Sequence, residues 1–300
     1  MGKWKKWLSA GLFTAMLGTA IIAGPTADVS ANAGNKPYNI ENVSPDAQLA
    51  PSVGDSSSKT SSKAWHKIDG VCYNGSGKKV EGAITRGMDV SEWQGKINWK
   101  EAKKDLDFAF VRISYGTRHL DDYYAYNMTE AEAADVPVGT YVYSLAKTNK
   151  EALAEAQLAI RQMQGHKVSY PVAFDLEDEA TLGTLTRKEI SQIALTFCDE
   201  IRKAGYTPIL YMNLNWYNNF VDWNVLEGSG LDVWIASYGD TILAPSASKY
   251  KYTIWQCTAG DEVSGMISTK KLISGVPKEN NVDLNFGYVD YTTKVVPRWN

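Results

Sequence analysis

The feature that most restricts the fold of this chain is an alternation beginning near Arg86. Short apolar runs of strand length, at 87–90, 108–113, 138–143, 171–176, 208–212, 233–236, 252–256 and 282–285, are spaced along the chain, and helical patterns separate most of the first five. In the clearest helical stretch Ile190, Ile193, Ala194, Phe197, Cys198 and Ile201 recur on one face. Thr186-x-x-Glu189 supplies a capping box at its start, and Gly205 stands where a C-terminal cap belongs. Thr148-x-x-Glu151 opens another helix in the same way. Strand–helix alternation on this scale predicts a parallel sheet with helices outside, and eight strands predict closure into a barrel. The helical signals weaken late in the chain, so some outer helices are expected to be missing. No G-x-G-x-x-G follows the first strand, which removes the main reason to expect a dinucleotide-binding fold.

The residues before this region read differently. Lys3, Lys5 and Lys6 precede an apolar stretch from Leu8 to Ala23, and Ala31-Asn32-Ala33 gives an A-x-A cleavage pattern. Residues 1–33 therefore predict a secretory signal peptide. The apolar stretch is short for a spanning helix, so the mature protein is expected to be secreted, extracellular or wall-associated, without a membrane anchor. Residues 34–64 are rich in Ser, Pro, Gly, Asn and Asp and predict a flexible linker. Residues 65–83 form a short extension with a hairpin signal at Asn74-Gly75, and 84–300 the folded domain. Cys72, Cys198 and Cys257 have no C-x-x-C spacing, so no metal site is expected. Cys198 lies on an apolar helix face and is expected to be a buried free thiol. Cys72 and Cys257 are the pair that an oxidising compartment could bridge.

The chemistry is carried by "PVAFDLEDEA", where a strand runs into Asp175 and Glu177. Strand side chains alternate, so these acids face one way and Phe174 and Leu176 the other. Their Cα atoms should stand roughly 6.5 Å apart. The same parity pairs Asp89 with Ser91, Arg112 with Ser114, Tyr141 with Tyr143, Tyr211 with Asn213 and Asp283 with Asn285, and adds Trp234 and Gln256 from two further strands. Four carboxylates at strand ends, among Tyr and Trp, predict an acidic cleft at a barrel rim. Asp178 and Glu179 are expected on the loop surface, and His66, His119 and His166 are expected to be surface or structural. A formal charge of −3 gives no basic footprint for nucleic acid, whereas 10 Trp and 17 Tyr suit flat sugar faces. Cleaving a glycosidic bond needs a proton for the leaving oxygen and negative charge near the oxocarbenium-like carbon. Clustered acids supply both, because they push one another's pKa values apart.

"RGMDVSEWQGKINW", "PVAFDLED", "DVWIASYG", "YTIWQC" and "NVDLNFG", in this order, resemble glycoside hydrolase family 25, the secreted and phage-type muramidases. The resemblance covers about residues 84–290. It implies an irregular TIM-like β/α barrel with eight strands and fewer than eight outer helices. It also implies cleavage of the β-1,4 bond between N-acetylmuramic acid and N-acetylglucosamine in peptidoglycan. A monomer without a cofactor is expected. By position Glu177 resembles the general acid. Asp175 resembles the companion that attacks the sugar or steadies a substrate acetamido group. Asp89 and Asp283 match further acidic positions. Tyr141, Tyr143, Tyr211, Trp234, Arg112 and Gln256 are expected to bind substrate. Cys257 departs from the pattern, which has an aromatic after Trp-Gln, and puts that stretch of cleft wall in question. Two alternatives remain: a non-catalytic wall-binding domain, and another barrel glycosidase such as a chitinase, although "FDLEDE" lacks the D-x-D-x-E of that chemistry.

Overall fold

The computed structural model describes residues 61–240, 242–260 and 268–296. The expected signal peptide and the linker up to residue 60 lie outside the described residues. The chain begins with a hairpin of β1 (Lys67–Ile68) and β2 (Val71–Cys72), then enters β3 (Thr85–Val90), α1 (Trp99–Ala102), β4 (Phe108–Tyr115) and β5 (His119–Leu120). It continues through α2 (Tyr124–Ala133), β6 (Val138–Tyr143), α3 (Asn149–Met163), β7 (Val172–Asp175), α4 (Glu179–Leu182) and α5 (Arg187–Lys203). Then come β8 (Pro208–Asn213), α6 (Leu214–Asn219), α7 (Trp223–Leu226), β9 (Asp232–Ala236), β10 (Ile254–Thr258) and β11 (Asp283–Gly287). The strands run β3-β11-β10-β9-β8-β7-β6-β4, and pairing of β3 with β4 closes an eight-stranded barrel, with β5 added beside β4.

The expectation of a parallel sheet fails at one strand of the barrel, and at the short β5 beside it. β11 runs antiparallel to both β10 and β3. This reversal has a consequence for the acids, because Asp283 is the first residue of its strand. In a parallel β11 it would sit at the opposite end of the barrel from Asp175. Reversed, it lies directly opposite Asp89 in register.

Strand parity sorts side chains into two cores. Met88, Val90, Ala109, Val111, Val142, Phe174, Leu210 and Val233 pack outward, and Phe174 stacks on Phe197 of α5 with ring centroids 4.2 Å apart. Phe108, Phe110, Tyr170, Ala173, Ile209, Trp234 and Ile254 fill the barrel. Phe108 stacks on Tyr170 at 4.6 Å, and Tyr170 meets Tyr291 edge-on at 5.3 Å. Such packing makes the interior a solid floor and leaves the rim for polar groups. On α5 all six residues of the expected stripe are buried. Its capping box closes in both directions, and Gly205 takes the left-handed φ of +84° that ends the helix. At α3 the Thr148 cap forms, but the Glu151 carboxylate reaches back to the Lys147 N–H at 2.7 Å.

The outer layer is thin, as the weak late signals implied. Seven α-helices are described, and α1, α4, α6 and α7 have only four to six residues. Among the described residues no α-helix follows β9, and the N-terminal extension supplies part of the missing cover. Trp65 is 3% exposed and stacks on Phe286 of β11 at 6.4 Å, which in turn packs on Trp255 of β10 at 6.0 Å. Lys67 holds both carboxylate oxygens of Asp107, at 2.9 and 2.8 Å. The two-residue hairpin turn is Asp69-Gly70, with φ of +50° and +78°. Asn74-Gly75 instead lies in a wider loop closed by the Asn74 N–H to the Lys78 carbonyl at 2.8 Å. A D-G pair fits a type I′ turn as well as N-G does. No bridge forms among the cysteines: Cys72, Cys198 and Cys257 are all free and buried.

Because Trp65 covers an edge of the core that no helix reaches, Trp65→Ala should destabilise the fold by about 3 kcal/mol and lower Tm by roughly 6–12 °C. The lower end of the range for a buried Trp applies, since its indole N–H is buried without a partner. Thermal unfolding of the two proteins measures this.

Candidate active site

At the rim where the parallel strands finish and β11 begins, the inward parity positions bring polar groups into one network. Asp89 of β3 is 5% exposed and accepts from Asn285 Nδ2 at 2.7 Å and from Gln256 Nε2 at 3.0 and 3.1 Å. Gln256 Nε2 also reaches Asp283 Oδ2 at 3.4 Å. On its other side Gln256 Oε1 accepts from Tyr211 at 2.7 Å and Tyr238 at 3.0 Å. Trp234 donates its indole N–H to Asn285 Oδ1 at 2.7 Å. Asp175 closes β7 between Tyr143 of β6 and Tyr211 of β8, its register partners. It is 4% exposed, and its Oδ1 is buried without a partner. Glu177 follows two residues later and is less covered, as is Asp283.

The electrostatics follow from burial of several acids together. Burial pushes Asp89 up to about 6, and the amide donors oppose the rise. Burial, then the charge of Asp89, pushes Glu177 up to about 7. Asp175 rises well above the carboxylate range through burial, then through Glu177 and Asp89, while Arg112 opposes the rise. Asp283 rises well above it through burial and the facing Asp89, with which it shares a hydrogen bond. The site therefore holds protons near neutrality that isolated carboxyls would have lost.

Several expected positions take different places. The register of β4 slips between Arg112 and Ser114. A bulge of this kind reverses parity beyond it, so Ser114 pairs beside outward Val142 and Tyr115 beside Tyr143. Tyr115 stacks on Tyr143 at 4.8 Å. Both phenols donate to Asp178 Oδ2, at 3.1 and 3.3 Å. Asp178 is thus not the surface acid expected from sequence. It is 9% exposed and caps α4 through the Thr181 N–H at 2.7 Å. Glu179 is exposed as expected.

Trp234 is 1% exposed and stacks on Phe110 at 4.4 Å, so it belongs to the floor and offers no open face. Tyr141 meets it edge-on at 6.2 Å. The Arg112 guanidinium is held by Asp121 at 3.0 Å and Glu92 at 2.8 Å, and Glu92 also meets exposed His119 at 2.8 Å. Cys257 points outward to the Leu284 carbonyl at 3.2 Å, so its departure from the family pattern does not touch the cleft wall. Tyr238 is the main residue that sequence reasoning missed. Its signal was the period-two series Trp234, Ala236, Tyr238, which continues inward past the end of β9.

A family model described as Glycosyl hydrolases family 25 matches residues 88–266. The chain belongs to that family. Three of the four acids of this family 25 chain lie within the match, whereas Asp283 lies beyond it and joins them through its register with Asp89. The extension that carries Trp65 lies before it. Among curated relatives, Lysozyme M1 of Streptomyces globisporus is 25% identical over 191 residues, 60% of this chain and 64% of that protein. The uncharacterized protein YegX of Escherichia coli K12 is 25% identical over 194 residues, 60% of this chain and 65% of that protein. The matches thus span less than two thirds of these relatives. In fold the chain is similar to a family 25 glycosyl hydrolase from Bacillus anthracis, with TM-score 0.56 and 24% identity over 77% of this chain and 95% of that one. It is also similar to the modular autolysin LytC of Streptococcus pneumoniae, with TM-score 0.59 and 23% identity over 74% and 52%.

Proposed function

We propose that this family 25 chain is an exported muramidase that hydrolyses the β-1,4 bond between N-acetylmuramic acid and N-acetylglucosamine in peptidoglycan. The observation that carries the proposal is the cluster of Asp89, Asp175, Glu177 and Asp283 at one barrel rim, the first two buried and the others partly covered, with Glu177 pushed up to about 7. Family membership and similarity to a protein named as a lysozyme support the substrate class.

In this reading Glu177 donates the proton to the leaving oxygen. It is protonated near neutrality and less covered than Asp89 or Asp175. Asp175 faces the developing positive charge, as nucleophile or as partner of the substrate acetamido group. Arg112 opposes the rise at Asp175, and the mechanism requires Asp175 to be ionised while Glu177 keeps its proton. Asp89 and Asp283 set the charge behind them. Tyr141, Tyr143 and Tyr211 border the space in which a sugar would sit. Export rests on the pattern of residues 1–33, with 34–64 as linker, 65–83 as extension and 84–300 as the catalytic domain.

Mass spectrometry of fragments from a defined peptidoglycan tests the bond assignment. New reducing ends should be N-acetylmuramic acid. Reducing N-acetylglucosamine would reassign the bond, and binding without new reducing ends would favour a wall-binding domain.

A further inference from the structure

The loop from β9 to β10 carries Tyr238 to the acid cluster, and among the described residues it has no α-helix to rest on, unlike the loops after β3, β4, β6, β7 and β8. Its first residues are held from β10. The Ser237 N–H donates to the Gln256 carbonyl and the Gly239 N–H to the Cys257 carbonyl, both at 3.2 Å, and the Trp255 indole donates to the Ser237 carbonyl at 2.7 Å. Between them the Tyr238 hydroxyl donates to Gln256 Oε1 at 3.0 Å, and Gln256 Nε2 in turn donates to Asp89 at 3.0 and 3.1 Å. At Asp240 the hold passes to the N-terminal extension: Asn74 Nδ2 donates to the Asp240 carbonyl at 2.6 Å. Asn74 is 1% exposed, and its Oδ1 accepts from the Ser76 N–H at 3.1 Å, the Ser76 hydroxyl at 2.9 Å and the Lys78 N–H at 2.8 Å. Backbone N–H groups can only donate, so the oxygen of this amide faces them and the nitrogen is left for Asp240. The adjoining Gly75 leaves no gap. A Cβ there would stand 2.6 Å from the Trp65 ring and 2.7 Å from the Asp240 carboxylate.

We infer that Asn74 is a positioning residue for the active site: through Asp240 the N-terminal extension fixes the loop that presents Tyr238 to Gln256 and, through Gln256, to Asp89. The extension is itself anchored, by Trp65 on Phe286 and by Lys67 on Asp107, so it offers the loop a fixed point. It lies before the matched residues 88–266, so the barrel takes part of its rim support from outside the segment that matches the family. The inference deepens the proposed function, and its kinetic consequence rests on that reading. Its geometric consequence does not.

The test is Asn74→Asp, which keeps the acceptor for Ser76 and Lys78 and puts an oxygen where the donor to Asp240 stood. In protein labelled with 3-fluorotyrosine, the Tyr238 fluorine-19 signal, assigned by its loss in Tyr238→Phe, should shift or broaden in the variant. This readout needs no substrate, so it stands or falls separately from the identity of the bond cleaved. On peptidoglycan kcat/KM should fall about tenfold, the scale of a small misplacement in the site. If Asn74 acts through the Tyr238 hydroxyl, its loss should cost less than about twofold more in a Tyr238→Phe background, because coupled sites are not additive. An unchanged Tyr238 signal overturns the inference. So does a kcat/KM that stays at the parent value, or losses that multiply in the double variant, since Asn74 would then act by another route. A parent inactive on cell walls would remove the muramidase reading and leave the fluorine signal to decide. Should Asn74→Asp fail to fold, Asn74→Ser decides by the same readouts: its hydroxyl can still accept from the Ser76 N–H and is too short to reach Asp240.

Discussion

Glu177→Gln is expected to lower turnover on peptidoglycan by about 10³-fold, within the range for loss of a general acid. The substitution is nearly isosteric, and its amide is neutral, like the protonated carboxyl that burial and Asp89 favour up to about pH 7. The folded protein should therefore tolerate it, and Tm at pH 6 should stay near that of the parent. What disappears is the proton. The same raised value sets the basic side of the pH dependence of the parent enzyme: activity should fall above about pH 7, as Glu177 loses the proton it must donate. Turbidity loss of a wall suspension, release of reducing ends and thermal unfolding together measure these outcomes. Full residual activity in the variant would move the acid elsewhere, and Asp283, also raised well above its ordinary value, would be the first group to examine.

Much of this site was legible in the sequence because strand parity is a strict rule. Asp89, Asp175, Tyr141, Tyr211, Trp234 and Gln256 all take the inward positions that alternation assigns, and Phe174 and Leu176 take the outward ones. The stripe of α5 and its capping box were legible for a similar reason, since both are local patterns. The failures share a cause. Each depends on pairing between distant segments, which a single strand does not encode. The slip in β4 moves Tyr115 to the rim and Ser114 away from it, yet "FVRIS" alternates smoothly as text. The reversal of β11 is equally silent, although it decides whether Asp283 reaches the other acids. Asp178 looked like one more loop acid until two phenols from β4 and β6 converged on it. Trp234 takes the inward face that parity assigns and lies deep in the barrel floor, because parity says which face a side chain takes and not how deep it lies.

Asp175→Asn should pull activity and stability in opposite directions. Turnover should fall by a factor on the order of 10³, because the charge facing the oxocarbenium-like carbon is lost. The folded protein should nevertheless melt higher than its parent at pH 8. Asp175 is 4% exposed, its Oδ1 has no partner, and burial with Glu177 and Asp89 holds its pKa well above that of an unfolded aspartate. A carboxyl raised on folding contributes stability that is fully present below its unfolded value, near pH 4, and is lost as pH rises through the folded value. The parent should therefore lose stability from about pH 4 upward, because the unfolded chain ionises there while the folded Asp175 still holds its proton. Asparagine cannot ionise, and its amide hydrogens face carboxyls able to accept them. The slope of Tm against pH should be shallower in the variant, with the variant gaining on its parent from about pH 4 upward and ahead at pH 8. A variant that melts lower at pH 8, or keeps the parent slope, would show that Asp175 is not under this strain. Its raised pKa would then be no sign of a site that gives up stability for charge at the reaction centre.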